Sequence, residues 1–246
     1  MAVDKRVETR LLTEWHYPKG AFFNRVVAKE TIIQNAKVAS KSKQIFLQEV
    51  KQVNWVFLIK ESNTNITEYV SPSESFREID YIHVEIKDPG AAKSVSDIVF
   101  NSIPSPVILE IRWQDSEDIV YSQWYAAEYE VKHGVVHKTD PILEEDVSAY
   151  DAKFDFDRLP TNNLKNLYNR YLSNIEAINY QSKYGNRTDN KDIVEINAQL
   201  KSLEAVIAKT SKEAKKEKQI NKRAKLVKKA RDLQVELDNL KRRAVE

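Results

Sequence analysis

The residues best suited to chemistry are a glutamate and a lysine two positions apart, Glu85 and Lys87. They end the alternating segment Ile79–Lys87, and a β-strand would place both side chains on one face. Metal-dependent nucleases use carboxylates to hold Mg²⁺ and a lysine to polarise the attacking water or the phosphate. The second carboxylate must come from a neighbouring segment, and Glu68 is the upstream candidate. Because strands that end in Glu-x-Lys at a solvent edge are common, a nuclease that uses these three residues is an alternative hypothesis.

Other catalytic and metal-binding patterns are missing from the sequence. The chain has no cysteine, which excludes thiolate catalysis, disulfides and cysteine-ligated zinc. Four glycines in 246 residues leave no glycine-rich phosphate loop. His133 and His137 have i, i+4 spacing, but Gly134 and the valines that follow it predict a hairpin, where this spacing does not make a metal pair. The sequence therefore predicts no metal and no cofactor, and it favours a binding protein over an enzyme.

A lysine-rich tract near the C-terminal end is the strongest binding signal. Residues 209–229 contain ten Lys/Arg against two acids, Glu213 and Glu217. Like charges at i, i+4 destabilise a free helix, so we expect a counter-surface, either DNA phosphates or an acidic partner. No aromatic residue interrupts the tract, which argues against base stacking on single strands. A merely solvated helix face is the alternative. The candidate contact residues are Lys212, Lys215, Lys216, Lys218, Lys222, Arg223, Lys225, Lys228 and Lys229.

Apolar residues recur in steps of three and four on both sides of this tract. The first seam runs from Ile193 to Ala214 and the second from Leu226 to Ala244. This 3.5-residue period predicts a coiled coil, formed either by a hairpin within one chain or by one long helix that pairs between chains. The candidate interface residues are Leu200, Leu203, Ile207, Leu226, Leu233, Leu237 and Leu240.

Charge is distributed unevenly along the chain. Residues 191–246 hold sixteen Lys/Arg and nine Asp/Glu, whereas residues 1–190 hold 23 and 28. An acidic body with a basic helical arm is typical of a protein that binds an acidic partner or nucleic acid. The charged N-terminus lacks a signal peptide, and no apolar run approaches a membrane span of roughly 20 residues. We therefore expect a soluble, cytoplasmic protein that does not bind membranes.

The remaining patterns predict helices and strands in alternation. Helices are predicted at Ser40–Val53, Ala92–Ile103 and Asn162–Tyr180, and strands at Trp55–Lys60, Ile79–Lys87, Val107–Trp113 and from Ile119 onward. A short helix that packs Phe22 and Val26 inward is also predicted. The fold class is α+β or α/β, with a mixed β-sheet body and flanking helices over residues 1–160 and a helical coiled-coil extension over 161–246.

Several motifs, in this order, carry a resemblance to a known family. They are Tyr17-Pro-Lys-Gly-Ala-Phe-Phe23, Val53-Asn-Trp55, the strand Ile79–Lys87, Ser102-Ile-Pro-Ser-Pro-Val-Ile-Leu109, the helix Leu164–Leu172 and Glu217-Lys-Gln-Ile-Asn-Lys-Arg-Ala-Lys-Leu-Val227. The chain resembles the bacterial domain-of-unknown-function family 4391 over nearly its whole length. The resemblance implies a place in phage-defence gene neighbourhoods beside a helicase and a DNA methyltransferase, and it supplies no catalytic residues.

Three hypotheses follow. The first is a noncatalytic accessory subunit of a DNA-targeting phage-defence or restriction-modification assembly, which binds a helicase or methyltransferase and the DNA backbone. The second is the metal-dependent nuclease with the strand-borne Glu-x-Lys pair. The third is a structural homodimer, or another homo-oligomer, held together by its coiled coil.

Overall fold

The computed structural model describes residues 5–36, 38–149, 151–184, 190–217 and 219–243. The chain forms two compact units, with the boundary after Ile175. The first unit contains a mixed sheet with helices and the second is helical, so the predicted mixed α+β class is confirmed. The sequence-based boundary, after residue 160, lies before the helix that contains Ile175. None of the helices in the described ranges is long and apolar enough to cross a membrane.

Six strands form the main sheet in the order β1-β2-β5-β6-β7-β10. These strands are β1 (Phe22–Val26), β2 (Val50–Lys60), β5 (Glu78–Ile86), β6 (Val107–Gln114), β7 (Val120–Tyr125) and β10 (Ile142–Leu143). Only β5 and β6 pair in parallel; the other neighbours are antiparallel. Two short hairpins are made by β3 (Tyr69–Val70) with β4 (Ser75–Phe76) and by β8 (Ala127–Glu130) with β9 (Gly134–Lys138).

The helices of the first unit surround this sheet. They are α1 (Lys5–Thr9), α2 (Lys29–Asn35), α3 (Ser40–Glu49), α4 (Glu61–Thr64), α5 (Ala92–Ser102), α6 (Glu144–Ala149) and α7 (Leu164–Tyr184), which continues into the second unit. A π-helical turn, Arg10–Glu14, follows α1. Because α5 connects the parallel strands β5 and β6, the carboxyl ends of both strands lie at the same edge of the sheet.

Alternation along β5 turns Ile82, Val84 and Ile86 to one face of the sheet, as predicted. Ile82, Val84 and Ile86 belong to a buried core that includes Phe46 of α3 and Val95 of α5. Their neighbours on the strand point to the opposite face. Burying a side chain of this kind contributes about 1.5–3 kcal/mol. The core therefore fixes which side chains of β5 face the other way.

Two sequence-based elements differ from the structure. Residues 22–26 form the edge strand β1, not a short helix; Phe22 pairs with Phe57 and Val26 with Asn54. The helix predicted to reach Val53 ends at Glu49, and Val50 is already extended, with φ −74° and ψ 124°. Helical spacing of apolar residues is present in both segments, but β-branched and aromatic side chains favour strands once a neighbouring strand is available.

The second unit consists of the end of α7, with buried Ala177 and Tyr180, and a helical hairpin. Helix α8 (Asn190–Lys216) is followed after a short connection by α9 (Ile220–Arg243). Leu200, near the middle of α8, and Leu237, late in α9, lie in one buried cluster, so the helices pack antiparallel. Leu203, Ile207 and Leu240 pack against this cluster, while Leu226 and Leu233 are half-buried on α9. Helices α8 and α9 thus contact each other within one chain, while the coiled-coil packing of the two seams stays a prediction.

Candidate functional site

A row of buried polar side chains crosses the face of the sheet opposite Ile82, Val84 and Ile86. The strand register places His83 of β5 beside Asn54 of β2 and Glu110 of β6. All three are fully buried. One step toward the carboxyl ends, Glu85 lies beside Gln52 and Arg112. Burying so many polar groups is costly unless they are paired, so this row is maintained by specific contacts.

Three residues of this row, Glu110, His83 and Glu85, and the neighbouring Arg10 form what we call the buried charge network. Arg10 Nη2 lies 2.5 Å from Glu110 Oε1, and His83 Nδ1 lies 3.3 Å from Glu110 Oε2. On its other side, His83 Nε2 lies 3.7 Å from Glu85 Oε1. The network is therefore a chain of alternating charges that begins at the π-helical turn and crosses the sheet toward the ends of β5 and β6.

Aromatic side chains enclose the inner end of the network. The guanidinium of Arg10 lies over the ring of Trp124, 4.8 Å from its centroid, and 5.3 Å from that of Trp15. Tyr81 donates a 3.0 Å hydrogen bond to Glu110 Oε2 and accepts one of 2.9 Å from Trp124 Nε1. Both carboxylate oxygens of Glu110 thus have partners, which lowers the penalty for burying its charge.

The pKa values within the network reflect this pairing. Burial alone would raise the pKa of Glu110, but the charges of Arg10 and His83 outweigh it and hold that pKa far below its usual range. Burial would lower the pKa of His83, yet Glu110 and Glu85 outweigh it and raise that pKa. The pKa of Glu85 is lowered by its contact with His83 and by Arg112 and Lys51. The network therefore favours ionised carboxylates and a protonated imidazole.

A cleft of about 560 Å³ opens at the carboxyl ends of β5 and β6, above Glu85. Ligands in open α/β sheets commonly bind outside the carboxyl ends of parallel strands. The residues that line this cleft come from α1, the start of β2, the ends of β5 and β6, and the turn into β7. They are Arg6, Lys51, Glu85, Ile86, Arg112, Trp113, Gln114, Asp118 and Val120. Three cations thus face two carboxylates.

A bulge in β2 provides one of the cations. Val50 pairs with Ile86 and Gln52 pairs with Glu85, so Lys51 is an extra residue with no partner position on β5. Bulges of this kind redirect side chains and are frequent beside functional sites. Lys51 is exposed and lines the cleft, whereas Arg112 lies at its floor and is only 8% exposed.

The structure does not bring Glu68, Glu85 and Lys87 together. Glu68 donates its backbone N–H to the side chain of Glu61, which directly follows β2. This end of β2 pairs with Glu78, at the start of β5, about 23 Å along the strand from Glu85. Lys87 donates from Nζ to the carbonyl oxygen of Gln48, near the end of α3, at 2.6 Å. Of the three, Glu85 alone is among the residues that line the cleft.

The histidines outside the network form no metal pair in the described ranges. His133 lies in the turn before β9 and His137 lies on β9, and His133 Nδ1 contacts Glu130 at 2.7 Å. His16 lies 2.9 Å from Asp155, with Asp157 nearby. These groups are held by each other and by Arg158, 3.3 Å from Asp155. The ligand atoms of His16, Asp155 and Asp157 lie within 4.8 Å of one another, close enough to share a metal ion, so the absence of a metal site stays a prediction.

The basic tract lies at the end of the hairpin where α8 passes into α9. Its exposed cations, which we call the basic tip, are Lys212, Lys215, Lys216, Lys222, Arg223, Lys225, Lys228 and Lys229. Lys218 lies outside the described residues. None of the basic tip forms an ion pair with another residue in the described ranges. Charges from two helices are thus concentrated on one exposed end.

Sequence reasoning singled out Glu85 and the lysine tract but not Arg10, Arg112 or Lys51. A signal for Arg112 and Glu110 was present, because both interrupt the otherwise apolar strand Val107–Trp113. A charged residue in a buried strand indicates a buried ion pair or a site. Arg10 carries no such signal, since its partner is 100 residues away.

Asp80, at the opposite end of β5 from the cleft, is a second buried carboxyl group. Trp55 Nε1 donates to it at 3.1 Å and the Ser105 hydroxyl donates to its other oxygen. Burial raises the pKa of Asp80 to about 7, and these hydrogen bonds only partly oppose the shift. Ionising this group therefore costs stability at neutral and alkaline pH.

We expect Asp80→Asn to stabilise the protein increasingly between pH 4 and pH 7. The unfolded carboxyl ionises near 3.8 and the folded one near 7. The stability that wild-type Asp80 contributes as a neutral acid is therefore complete below pH 3.8 and lost by about pH 7. The difference amounts to roughly 2–4 kcal/mol in favour of the variant at pH 8. Urea unfolding at pH 4 and pH 8 measures it. The exposed control Glu117→Gln should show no such pH-dependent gain, and an equal gain in both variants would contradict the assignment.

Comparisons with known proteins complete the description of the site. No curated protein and no solved structure matches the chain. One family model matches residues 16–237, which span β1 to β10, the cleft residues from Lys51 onward and nearly the whole hairpin. This match confirms the family resemblance drawn from the order of the sequence motifs. The chain therefore belongs to the family described as Domain of unknown function (DUF4391).

Proposed function

We propose that this protein is a noncatalytic accessory subunit of a bacterial, cytoplasmic DNA-targeting assembly of the phage-defence or restriction-modification type. In this role it binds a helicase or a DNA methyltransferase, and its basic tip contacts the DNA backbone. The observation that carries the proposal is the concentration of eight exposed cations at one end of the helical hairpin.

Electrostatics favour a polyanion as the ligand of the basic tip. Eight cations around one turn repel each other, and no ion pair with another described residue relieves them. Phosphates would neutralise them and release condensed counterions, which makes such binding strong at low salt and independent of base sequence. Lysine suits this role because it contacts phosphate as a flexible point charge.

Support for the wider assembly is associational. Resemblance to the family implies gene neighbourhoods that contain a helicase and a methyltransferase. A location of this kind is a weaker argument than a site, because a fold or family does not by itself fix a function. The DNA contact and the protein partner therefore need separate experiments.

Charge reversal at the basic tip tests the DNA contact. We expect Lys215→Glu/Lys216→Glu/Lys222→Glu/Lys225→Glu to weaken binding of a labelled 20-base-pair duplex at least tenfold, measured by fluorescence anisotropy. Plotted against log salt concentration, log K should have a slope smaller in magnitude by about 4. A matched control reverses four exposed lysines of the first unit: Lys19, Lys41, Lys93 and Lys132. Since both variants change net charge equally, equal losses would mean that the basic tip has no special role.

Affinity capture from the native host tests the partner. Tagged wild-type protein should recover a helicase or DNA methyltransferase, identified by mass spectrometry, and the recovery should survive nuclease treatment. Loss of the partner after nuclease treatment would mean that DNA alone joins the two. Recovery of neither enzyme would overturn the accessory-subunit proposal, whatever the outcome of the DNA-binding measurement.

A further inference from the structure

The cleft at the carboxyl ends of β5 and β6 has the composition of an anion site. Three cations, Arg6, Lys51 and Arg112, line it together with Glu85 and Asp118. Asp118 lies at the rim, where its carboxylate accepts a 2.8 Å hydrogen bond from Gln114 Nε2. The carboxylate of Glu85 lies 3.7 Å from Nε2 of His83. The positive groups come from three separate elements, α1, β2 and β6.

The buried charge network runs from the interior of the first unit to this cleft. From the interior outward the series runs from the guanidinium of Arg10 to Glu110, then His83, then Glu85. Glu85 in turn lies beside the cations Arg112 and Lys51, which lower its pKa. An anion bound in the cleft beside Arg112 and Lys51 would continue this alternation of charges.

The cleft's shape limits what that anion can be. Its volume of about 560 Å³ is within the range of small-molecule sites, 300–1,000 Å³. Arg112 is nine-tenths buried at the floor, so only a group at the end of a molecule reaches it. A terminal phosphate monoester carries up to two negative charges and accepts from several donors at once, which suits a fork-shaped guanidinium beside a lysine.

We propose that this cleft binds a terminal phosphate monoester, with the phosphate held by Arg112 at the floor, by Lys51 on its bulge and by Arg6. The monoester belongs either to a small molecule of nucleotide size or to the 5′ end of a nucleic-acid strand. This site lies in the first unit and does not depend on the basic tip or on the proposed function.

Isothermal titration calorimetry with the full-length chain tests the proposal with four probes. These are adenosine 5′-monophosphate, adenosine, a hexanucleotide with a 5′-phosphate and the same hexanucleotide with a 5′-hydroxyl. We expect saturable binding of at least one phosphorylated probe and at least tenfold weaker binding of its unphosphorylated counterpart. Preference for the mononucleotide identifies a small-molecule site, and preference for the hexanucleotide identifies a strand end.

Substitutions inside and outside the cleft test where the phosphorylated probe binds. Lys51→Gln, at an exposed position, should weaken binding of the phosphorylated probe at least tenfold, and Arg112→Gln more, whereas Lys93→Gln on α5 should leave its affinity unchanged. The four-residue reversal at the basic tip should leave the ratio of affinities with and without the 5′-phosphate unchanged. Because Lys51 is exposed, the test stands even if Arg112→Gln does not fold. No saturable binding, equal binding with and without the phosphate, or unchanged affinity in Lys51→Gln would each overturn the proposal.

Discussion

Glu110→Ala is expected to lower the free energy of unfolding of the first unit by about 3–5 kcal/mol. The substitution leaves Arg10 and His83 facing each other across a buried space with no carboxylate between them. Removing one partner of a buried ion pair is costly for this reason, even where the intact pair contributes little. Tryptophan fluorescence during urea unfolding measures the loss, because Trp15, Trp55, Trp113 and Trp124 all lie in the first unit.

Glu144→Ala is the matched control for this experiment. Glu144 also contacts Arg10, at 3.6 Å, but its side chain is 42% exposed. Exposed ion pairs contribute about 0–1 kcal/mol, so the control should lie near wild type. Similar losses in both variants would show that the charge of Arg10 matters and the burial of Glu110 does not.

The loss of stability caused by Glu110→Ala should depend on pH. The folded pKa of Glu110 is lowered, so its contribution is complete above pH 4.5 and lost as the pH falls toward its folded value. The folded pKa of His83 is raised, so its contribution is complete below pH 6.5 and lost as the pH rises through its folded value. The difference between wild type and Glu110→Ala should therefore be largest between pH 4.5 and 6.5. A difference that grows steadily above pH 7 would contradict the arrangement.

Leu237→Asp is expected to unfold the helical hairpin. Leu237 is 3% exposed and lies in one buried cluster with Leu200 of α8 and with Ala177 and Tyr180 at the end of α7. Loss of a buried leucine costs about 2–5 kcal/mol, and burying an unpaired carboxylate adds to this. Helices of 27 and 24 residues with a lysine-rich end are unstable without their partner face. Circular dichroism at 222 nm should therefore show a loss of helix.

Val235→Asp, two positions away and 54% exposed, is the control for the hairpin. It places the same charge on the solvent side of α9 and should retain the helical signal. Retention of full helicity in Leu237→Asp would mean that this cluster does not stabilise the pair. Equal losses in both variants would point to a charge effect on α9.

Local periodicity predicted much of the fold, because it reports which face of an element is buried. The alternation in β5 predicted which of its side chains share a face with Ile82, and Gly134, with φ +69°, predicted the β8/β9 hairpin. The edge strand β1 was predicted as a helix, because its place is set by pairing with β2, a contact some thirty residues away. Leu200 and Leu237 were singled out by their heptad positions, but only the structure shows that they meet within one chain.

Local spacing also predicted one residue of the candidate site, Glu85, but not its neighbours. Glu85 was identified by its spacing from Lys87, yet its cationic neighbours are Lys51, placed by a bulge, and Arg112, placed by parallel pairing. A bulge and a strand register are properties of two segments at once. Neither can be deduced from one segment alone.

Helix α7 determines where this chain can be shortened. Its residue Tyr168 is 1% exposed, and its hydroxyl donates to the carbonyl oxygens of Val107 and Ala127 and accepts from the N–H of Ala127. A fragment that ends at residue 160 would lack this side chain and would expose three backbone groups of the sheet. A fragment that ends at Tyr184 keeps it and every residue of the cleft, although it removes Leu200 and Leu237 from the cluster that buries Ala177 and Tyr180 of α7. For crystallisation or labelling of the first unit alone, the stop codon thus belongs after α7, and a protease site engineered at the unit boundary would lie inside a folded helix, where cleavage is slow.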